Sequence, residues 1–88
     1  MKLVQLKAEG CRPCNYVNTF LTKSVGEDNF KVVDMGLHEN REEYPEVRSV
    51  PVVILYNNND EEIDRADGAD FIKIGELVKV FNGEAKPA

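Results

Sequence analysis

Hydrophobic residues recur along the chain in short runs that are separated by turn-forming residues. Three of these runs are apolar enough to predict β-strands, over residues 3–8, 30–35 and 51–56. The Asn and Asp residues at 57–60 tolerate left-handed backbone angles and predict a hairpin turn after the third strand. The charged segment 61–66 would return as a fourth strand, and its charge suits the edge of a sheet, where it discourages unwanted pairing.

Two further segments show helical spacing. Residues 13–25 carry apolar side chains at i, i+3, i+4 and i+8, which predicts an amphipathic helix that ends near Gly26. A last helix is predicted after Asp70, a suitable N-cap, and Gly83 is placed to stop it. Its inward face would consist of Ile74, Leu77, Val78 and Phe81. The acidic segment 37–47 permits a short helix at most, and we interpret it as a solvated face.

These elements predict an α/β protein with the order β-α-β, a loop or short helix, then β-β-α. A strand–helix–strand unit of this length implies a right-handed parallel crossover, and the hairpin adds an antiparallel pair. The expected result is a four-stranded mixed sheet flanked by helices. We expect a single domain over residues 1–83 and a frayed tail at 84–88.

Size and charge narrow the functional classes. The chain has 88 residues, enough for one core, and its 11 basic and 16 acidic residues give a net charge of -5. That charge opposes the phosphate attraction on which nucleic-acid binding depends. No apolar run approaches the roughly 18 residues of a membrane helix, and the N-terminal segment lacks the features of a secretory signal. We therefore expect a cytoplasmic protein that binds neither nucleic acids nor membranes, and we expect a monomer.

The two cysteines of the chain, Cys11 and Cys14, have C-x-x-C spacing. In a cytoplasmic protein this spacing indicates a redox or metal-binding role. The free N–H groups and the dipole at a helix start stabilise a thiolate, so we expect the pKa of the Cys11 thiol to lie below its usual value near 8.5. Cys14 lies one turn inside the predicted helix, on its buried side. We expect it to stay protonated until it resolves a mixed disulfide.

The residues between the cysteines suit this chemistry. Pro13 has no N–H to lose and its fixed φ favours a helix start, while the charge of Arg12 should lower the pKa of the Cys11 thiol further. Structural zinc is the main alternative for a C-x-x-C pair, but it needs a second pair of ligands. His38 is the one histidine, and we interpret it as a loop residue. We therefore predict no metal site.

Two segments resemble the motifs of the thioredoxin superfamily, and the resemblance covers most of the chain. Residues 8–14 (AEGCRPC) are similar to the active-site segment of that family, in which a proline also fills the third position of the tetrapeptide. Residues 47–51 (VRSVP) resemble its second motif, a short segment that ends in a cis-proline and opens a strand. Gly68 corresponds in type and spacing to a family glycine near the substrate groove.

The resemblance implies a thioredoxin-like fold and a role for each of these residues. Cys11 and Cys14 would form a redox-active disulfide that needs no other cofactor, and Pro51 would be cis. The backbone of Val50 would pair with the bound substrate chain, and Gly68 would lie at the same groove.

Three departures from the family pattern affect the site. Gln5 stands where the family has a buried aspartate beneath the second cysteine, so we expect a supporting residue that does not titrate. Gly10 replaces a tryptophan, which should leave Cys11 more exposed. The N-terminal strand and helix of full-length thioredoxins are absent, and the size is that of a glutaredoxin. Segments 49–51 and 68–70 also look like elements with which glutaredoxins hold glutathione.

Three functions follow from the resemblance. The first is a thiol–disulfide oxidoreductase that donates electrons to disulfide-containing protein substrates, with a thioredoxin reductase as its own reductant. The second is a glutathione-dependent glutaredoxin, in which glutathione would restore the dithiol. The two functions differ in which reducing system, glutathione with its reductase or a thioredoxin reductase, regenerates the reduced protein. The third is a non-catalytic binding subunit with the same fold, which activity surviving the replacement of both cysteines by serine would favour.

Overall fold

The fold consists of one sheet and three α-helices, and a computed structural model describes residues 1–87 of the chain. The strands are β1 (Lys2–Lys7), β2 (Phe30–Asp34), β3 (Val52–Tyr56) and β4 (Glu62–Asp67). The helices are α1 (Arg12–Val25), α2 (His38–Glu43) and α3 (Phe71–Phe81), and a 3-10 turn at Glu27–Asn29 precedes β2. The predicted order of elements is therefore confirmed.

The strands are arranged in the order β2-β1-β3-β4. β1 pairs with β2 in parallel and with β3 in antiparallel orientation, so that Leu6 lies opposite both Val33 and Val52. β4 pairs with β3 in antiparallel orientation and occupies one edge, as its charge predicted. The sheet is the four-stranded mixed sheet expected from the sequence.

The predicted boundaries hold to within about one residue, and the short helix that the segment 37–47 permitted is present as α2. We interpreted His38 as a loop residue, and this interpretation was wrong, because His38 begins α2. The amides of Asn40 and Arg41 donate to the carbonyl of Leu37, at 3.1 and 3.2 Å, which closes the first turn. The exposed imidazole Nε2 of His38 lies 2.6 Å from Oε1 of Glu42, one turn further along the helix.

Apolar side chains form a separate core on each face of the sheet. One core joins the sheet to α1 and α3, and it includes Leu3, Val17, Leu21, Val53, Ile74 and Leu77. The other lies under the segment that runs from α2 to β3, and it includes Val4, Leu6, Val33, Met35, Val52 and Ile54. α1 and α3 therefore cover one face and the segment that follows α2 covers the other, and the alternation of side chains along β1 and β3 supplies both cores.

The ends of the long helices follow the predicted caps. Oδ1 of Asp70 accepts the N–H of Lys73 at 3.1 Å and caps α3. Gly26 follows α1 with a φ of 94°, a backbone conformation that favours glycine, and donates its N–H to the carbonyl of Thr22. No helix within residues 1–87 has the length and apolar character needed to cross a membrane.

The C-terminal segment turns back on α3. The amides of Glu84 and Ala85 donate to the carbonyl of Lys79, at 2.8 and 3.2 Å. The division into a domain at 1–83 and a frayed tail at 84–88 stays a prediction, and Ala88 lies outside the described residues.

Candidate active site

Three segments that are distant in sequence meet at one end of the sheet. The register places the last residues of β1, β2 and β4 beside the first residue of β3. Cys11 follows the end of β1, Pro51 directly precedes β3, and Gly68 directly follows β4. The topology therefore brings the predicted site residues to a common edge.

The cysteine pair lies at the start of α1. Cys11 is the N-cap residue, with an extended backbone, and its Sγ accepts the N–H of Cys14 at 3.2 Å. The two residues are joined by a disulfide, with their Cα atoms 5.3 Å apart. Pro13 fills the second helical position, where a missing N–H costs nothing. The Sγ of Cys11 thus lies at the positive end of the helix dipole, as its spacing predicted.

The two sulfur-bearing residues differ in exposure. Cys14 is 1% exposed and packs inside the molecule, whereas Cys11 is only partly buried. Arg12 and Pro13 between them are exposed, as is Gly10 before them. An incoming disulfide can therefore reach Cys11 and cannot reach Cys14.

The segment before β3 contacts the segment after β4. The Val50–Pro51 peptide bond is cis, as the family resemblance implied, and the carbonyl of Pro51 accepts the N–H of Gly68 at 2.8 Å. Gly68 has a φ of 78°, which favours glycine, and an added Cβ there would meet no atom within 4 Å. Backbone conformation, and not lack of space, is what requires glycine at this position. Pro51 is buried and Val50 partly so.

Gln5 lies beneath the cysteine pair, in the place expected from the sequence. It is 1% exposed and is the one buried polar residue in the described part of the chain. Its Nε2 donates to the carbonyl of Cys14 at 2.8 Å, and its Oε1 accepts from Nδ2 of Asn18 at 3.3 Å. Both ends of the amide are therefore satisfied, which removes most of the cost of burying it. Its effect on the chemistry stays a prediction.

Asn18 is a site residue that the sequence analysis missed. It is partly buried and lies one turn after Cys14 on α1, so the two residues share a helix face. A polar residue four positions after the second cysteine was the available signal. Its significance depends on the bond to Gln5, which only the packing of α1 on β1 reveals.

The structure offers no grouping for a metal ion. In the region 1–87, no three His, Cys, Asp or Glu side chains lie close enough together to hold one. Both cysteine sulfurs are used in the disulfide, and His38 pairs with Glu42 on α2.

A group of ion pairs lies along β4. The guanidinium of Arg65 bonds to Glu62 at 2.5 Å and to Glu46 at 3.1 Å, and the first of these bonds is the main reason that its pKa is raised. Nζ of Lys73 donates to Oδ2 of Asp64 at 2.6 Å, and this bond is the main cause that lowers the pKa of Asp64. These pairs connect the edge strand to its neighbours and leave the cysteine pair uninvolved.

The structure combines a C-x-x-C disulfide at the start of a helix with a four-stranded sheet of this strand order. Thiol–disulfide oxidoreductases with the thioredoxin fold have this arrangement. The chain is 30% identical over 79 residues to the SPbeta prophage-derived thioredoxin-like protein YosR of Bacillus subtilis (strain 168). That match covers 90% of this chain and 96% of that protein. The chain belongs to the thioredoxin-like family.

Solved structures agree with this assignment. The reduced thioredoxin pre-protein of Schistosoma mansoni is 28% identical, with a TM-score of 0.71, over 90% of this chain and 76% of that one. Thioredoxin 1 of Thermosipho africanus is 19% identical, with a TM-score of 0.74, over 94% of this chain and 96% of that one. No family model matches the chain. The predicted thioredoxin fold is confirmed, and the chain is a thiol–disulfide oxidoreductase of that fold.

Proposed function

We propose that the protein is a dithiol electron donor that reduces disulfides in other proteins. The observation that carries this proposal is the difference in exposure between the two cysteines, since Cys11 is reachable and Cys14 is 1% exposed. A reductant of this kind needs one accessible sulfur that attacks the substrate disulfide and a second, buried sulfur that later resolves the mixed disulfide.

The proposed reaction proceeds in two exchange steps. The Cys11 thiolate attacks one sulfur of the substrate disulfide, the substrate S–S bond breaks, and its other sulfur leaves as a thiolate that takes up a proton. Cys14 then loses its proton and attacks the Cys11 sulfur of the mixed disulfide. The substrate's second sulfur leaves, and Cys11 and Cys14 are left joined. Two electrons have passed from the dithiol to the substrate.

The position of Cys11 favours the first step. In the reduced protein its sulfur would lie at the N-terminus of α1, next to the N–H of Cys14 that it accepts in the disulfide form. That donor and the helix dipole both stabilise the thiolate, so we expect the pKa of the reduced Cys11 thiol below its usual value. The exposed guanidinium of Arg12 adds positive charge beside it.

The segment around Pro51 would hold the substrate chain. The Pro51 carbonyl is occupied by Gly68, while Val50, the residue before it, is only partly buried. The backbone of Val50 is therefore the part of this segment left to pair with an extended substrate next to Cys11, and Gly68 would border the same groove.

We place the reaction in the cytoplasm, with a monomeric protein, a thioredoxin-reductase-type enzyme as reductant and no cofactor beyond the Cys11–Cys14 disulfide. Reduction by glutathione is the second candidate. The bond from Gly68 to Pro51 favours it, because it joins the two segments that resemble the glutathione-holding elements of glutaredoxins.

One experiment separates these candidates. The oxidised protein is offered either NADPH with a thioredoxin reductase, or glutathione with NADPH and glutathione reductase, and reduction of insulin disulfides is followed. We expect turnover with the thioredoxin reductase. Turnover with the glutathione system and none with the thioredoxin reductase would assign the protein to the glutaredoxins. The double variant Cys11→Ser, Cys14→Ser is the control, and insulin reduction by that variant would refute the dithiol mechanism.

A further inference from the structure

A small cleft opens beside the redox site, between the end of β1 and the segment that leads to β3. It encloses about 170 Å³, and its apolar wall includes Ala8, Met35, Val47 and Val50. The carbonyl of Ala8 accepts the N–H of Cys11 at 3.3 Å, and Val50 directly precedes Pro51. A group bound in this cleft would therefore lie next to a disulfide that approaches Cys11.

Two arginines, Arg41 and Arg48, line the cleft, and no carboxylate lines it with them. Nη1 of Arg41 donates to the carbonyls of Met35 and Gly36, at 3.1 and 2.9 Å, so this guanidinium is held in place. Arg48 is exposed, and within residues 1–87 it forms no ion pair.

None of the acidic side chains of the segment 39–46 lines this cleft. Glu46 is instead bound by Arg65 at 3.1 Å, and Glu42 lies against the imidazole of His38 at 2.6 Å. Both charged side chains that line the cleft are therefore positive, in a chain with a net charge of -5, and such a lining attracts groups of the opposite charge.

We propose that this cleft binds an acidic side chain of the substrate protein, placed close in sequence to the cysteine that Cys11 attacks. The inference rests on the proposed function, since it names the class of disulfide that the same site prefers. Arg41 would act as the fixed charge and Arg48 as the movable one, and a carboxylate between them would accept charge-assisted hydrogen bonds.

Two disulfide-bridged peptides test the proposal, identical except for Glu or Gln beside the attacked cysteine. Fully reduced protein is mixed with each peptide in a single turnover, and the second-order rate constant is measured by rapid quench with an alkylating agent. An exposed ion pair contributes up to about 1 kcal/mol, so we expect the Glu peptide to react about fivefold faster at low salt. High salt should reduce this preference.

Variants with matched charge changes identify the source of the preference. Arg48→Glu should abolish or reverse it, and Arg48 is exposed, so the fold is retained. Lys86→Glu makes the same change in net charge on the exposed segment after α3, and it should keep the preference. Equal rates of the wild type with both peptides, or equal losses in the two variants, would overturn the proposal.

Two other outcomes are distinguishable from these. If the reduced wild type reacts with neither peptide, the proposed function itself is wrong. Glutathione disulfide forms a third substrate, because it also carries carboxylates near its disulfide. A loss of rate in Arg48→Glu with glutathione disulfide and none with the Glu peptide would overturn the assignment to a protein side chain.

Discussion

The variant Gln5→Glu tests how the buried amide beneath Cys14 contributes to stability, because Glu has almost the same shape as Gln. It replaces Nε2, which donates to the Cys14 carbonyl at 2.8 Å, with an oxygen. The ionised form would set an acceptor against an acceptor in a position that is 1% exposed. The protonated form could still donate a hydrogen bond to the same carbonyl. The fold should therefore favour the protonated carboxyl.

The size of the effect follows from that preference. Burial and the facing carbonyl should raise the pKa of the new carboxyl from its usual value near 4.3 to about 7. Each unit of pKa corresponds to about 1.36 kcal/mol, so the free energy of unfolding should fall by about 4 kcal/mol above pH 7.5. The sign is fixed by the raised folded-state pKa. The loss is absent below about pH 4, where both states are protonated, and it grows as the pH rises towards 7.

Urea unfolding of the oxidised protein, followed by circular dichroism from pH 4 to 8, measures this loss relative to the wild type. Gln5→Met is the control, because it removes the hydrogen bond without adding a titrating group, and it should cost about 1 kcal/mol at every pH. A Gln5→Glu variant whose loss does not change with pH would refute the reasoning. The carboxyl would then not be buried against Cys14 in solution.

Three further predictions concern the cysteine pair and the charged side chains. Limited alkylation of the reduced protein near pH 7, followed by peptide mass analysis, should label Cys11 well before Cys14, and equal labelling would contradict their assigned roles. Asp70→Ala removes the cap of α3 and should cost about 1 kcal/mol in urea unfolding, so an unchanged midpoint would show that the cap is dispensable. The hydrogen bond from Lys73 lowers the pKa of Asp64, so this pair stabilises the fold above the unfolded-state pKa of Asp64. Asp64→Asn should therefore be less stable than the wild type at pH 7, and the difference should disappear as the pH falls through the lower, folded-state pKa of Asp64. A difference that persists in acid would exclude this cause.

The fold could be predicted from the sequence because each element has a local physical cause. The spacing of Val17 and Leu21 places both on the buried face of α1, and Gly26 ends the helix where a positive φ is needed. Asp70 caps α3 through its own side chain. The charges of β4 suit the edge that it occupies. These causes act over a few residues, so a sequence pattern is sufficient to find them.

The remaining parts of the site depend on contacts between elements. The Gln5–Asn18 hydrogen bond exists because α1 packs on β1 in one particular register, and the residues are 13 apart in sequence. The bonds from Arg41 to the carbonyls of Met35 and Gly36 depend on the shape of the turn that joins β2 to α2. The segment 37–47 permitted a short helix, but a six-residue helix has too few residues to show helical periodicity, so the inclusion of His38 in it could not be predicted. These hydrogen bonds and the start of α2 depend on the folded structure around them, and no local sequence pattern predicts them.

The two conditions that the proposed reaction needs are met by different parts of the molecule. The chemistry depends on the start of α1, where the helix field acts on Cys11 and the neutral amide of Gln5 holds the carbonyl of Cys14. Because Gln5 does not titrate, it adds no pH dependence of its own to the resolving step. Recognition depends on the segments that precede β3, where a change such as Arg48→Glu alters charge without touching either sulfur. Substrate preference could therefore change through substitutions in 47–50 while the thiol chemistry stays the same.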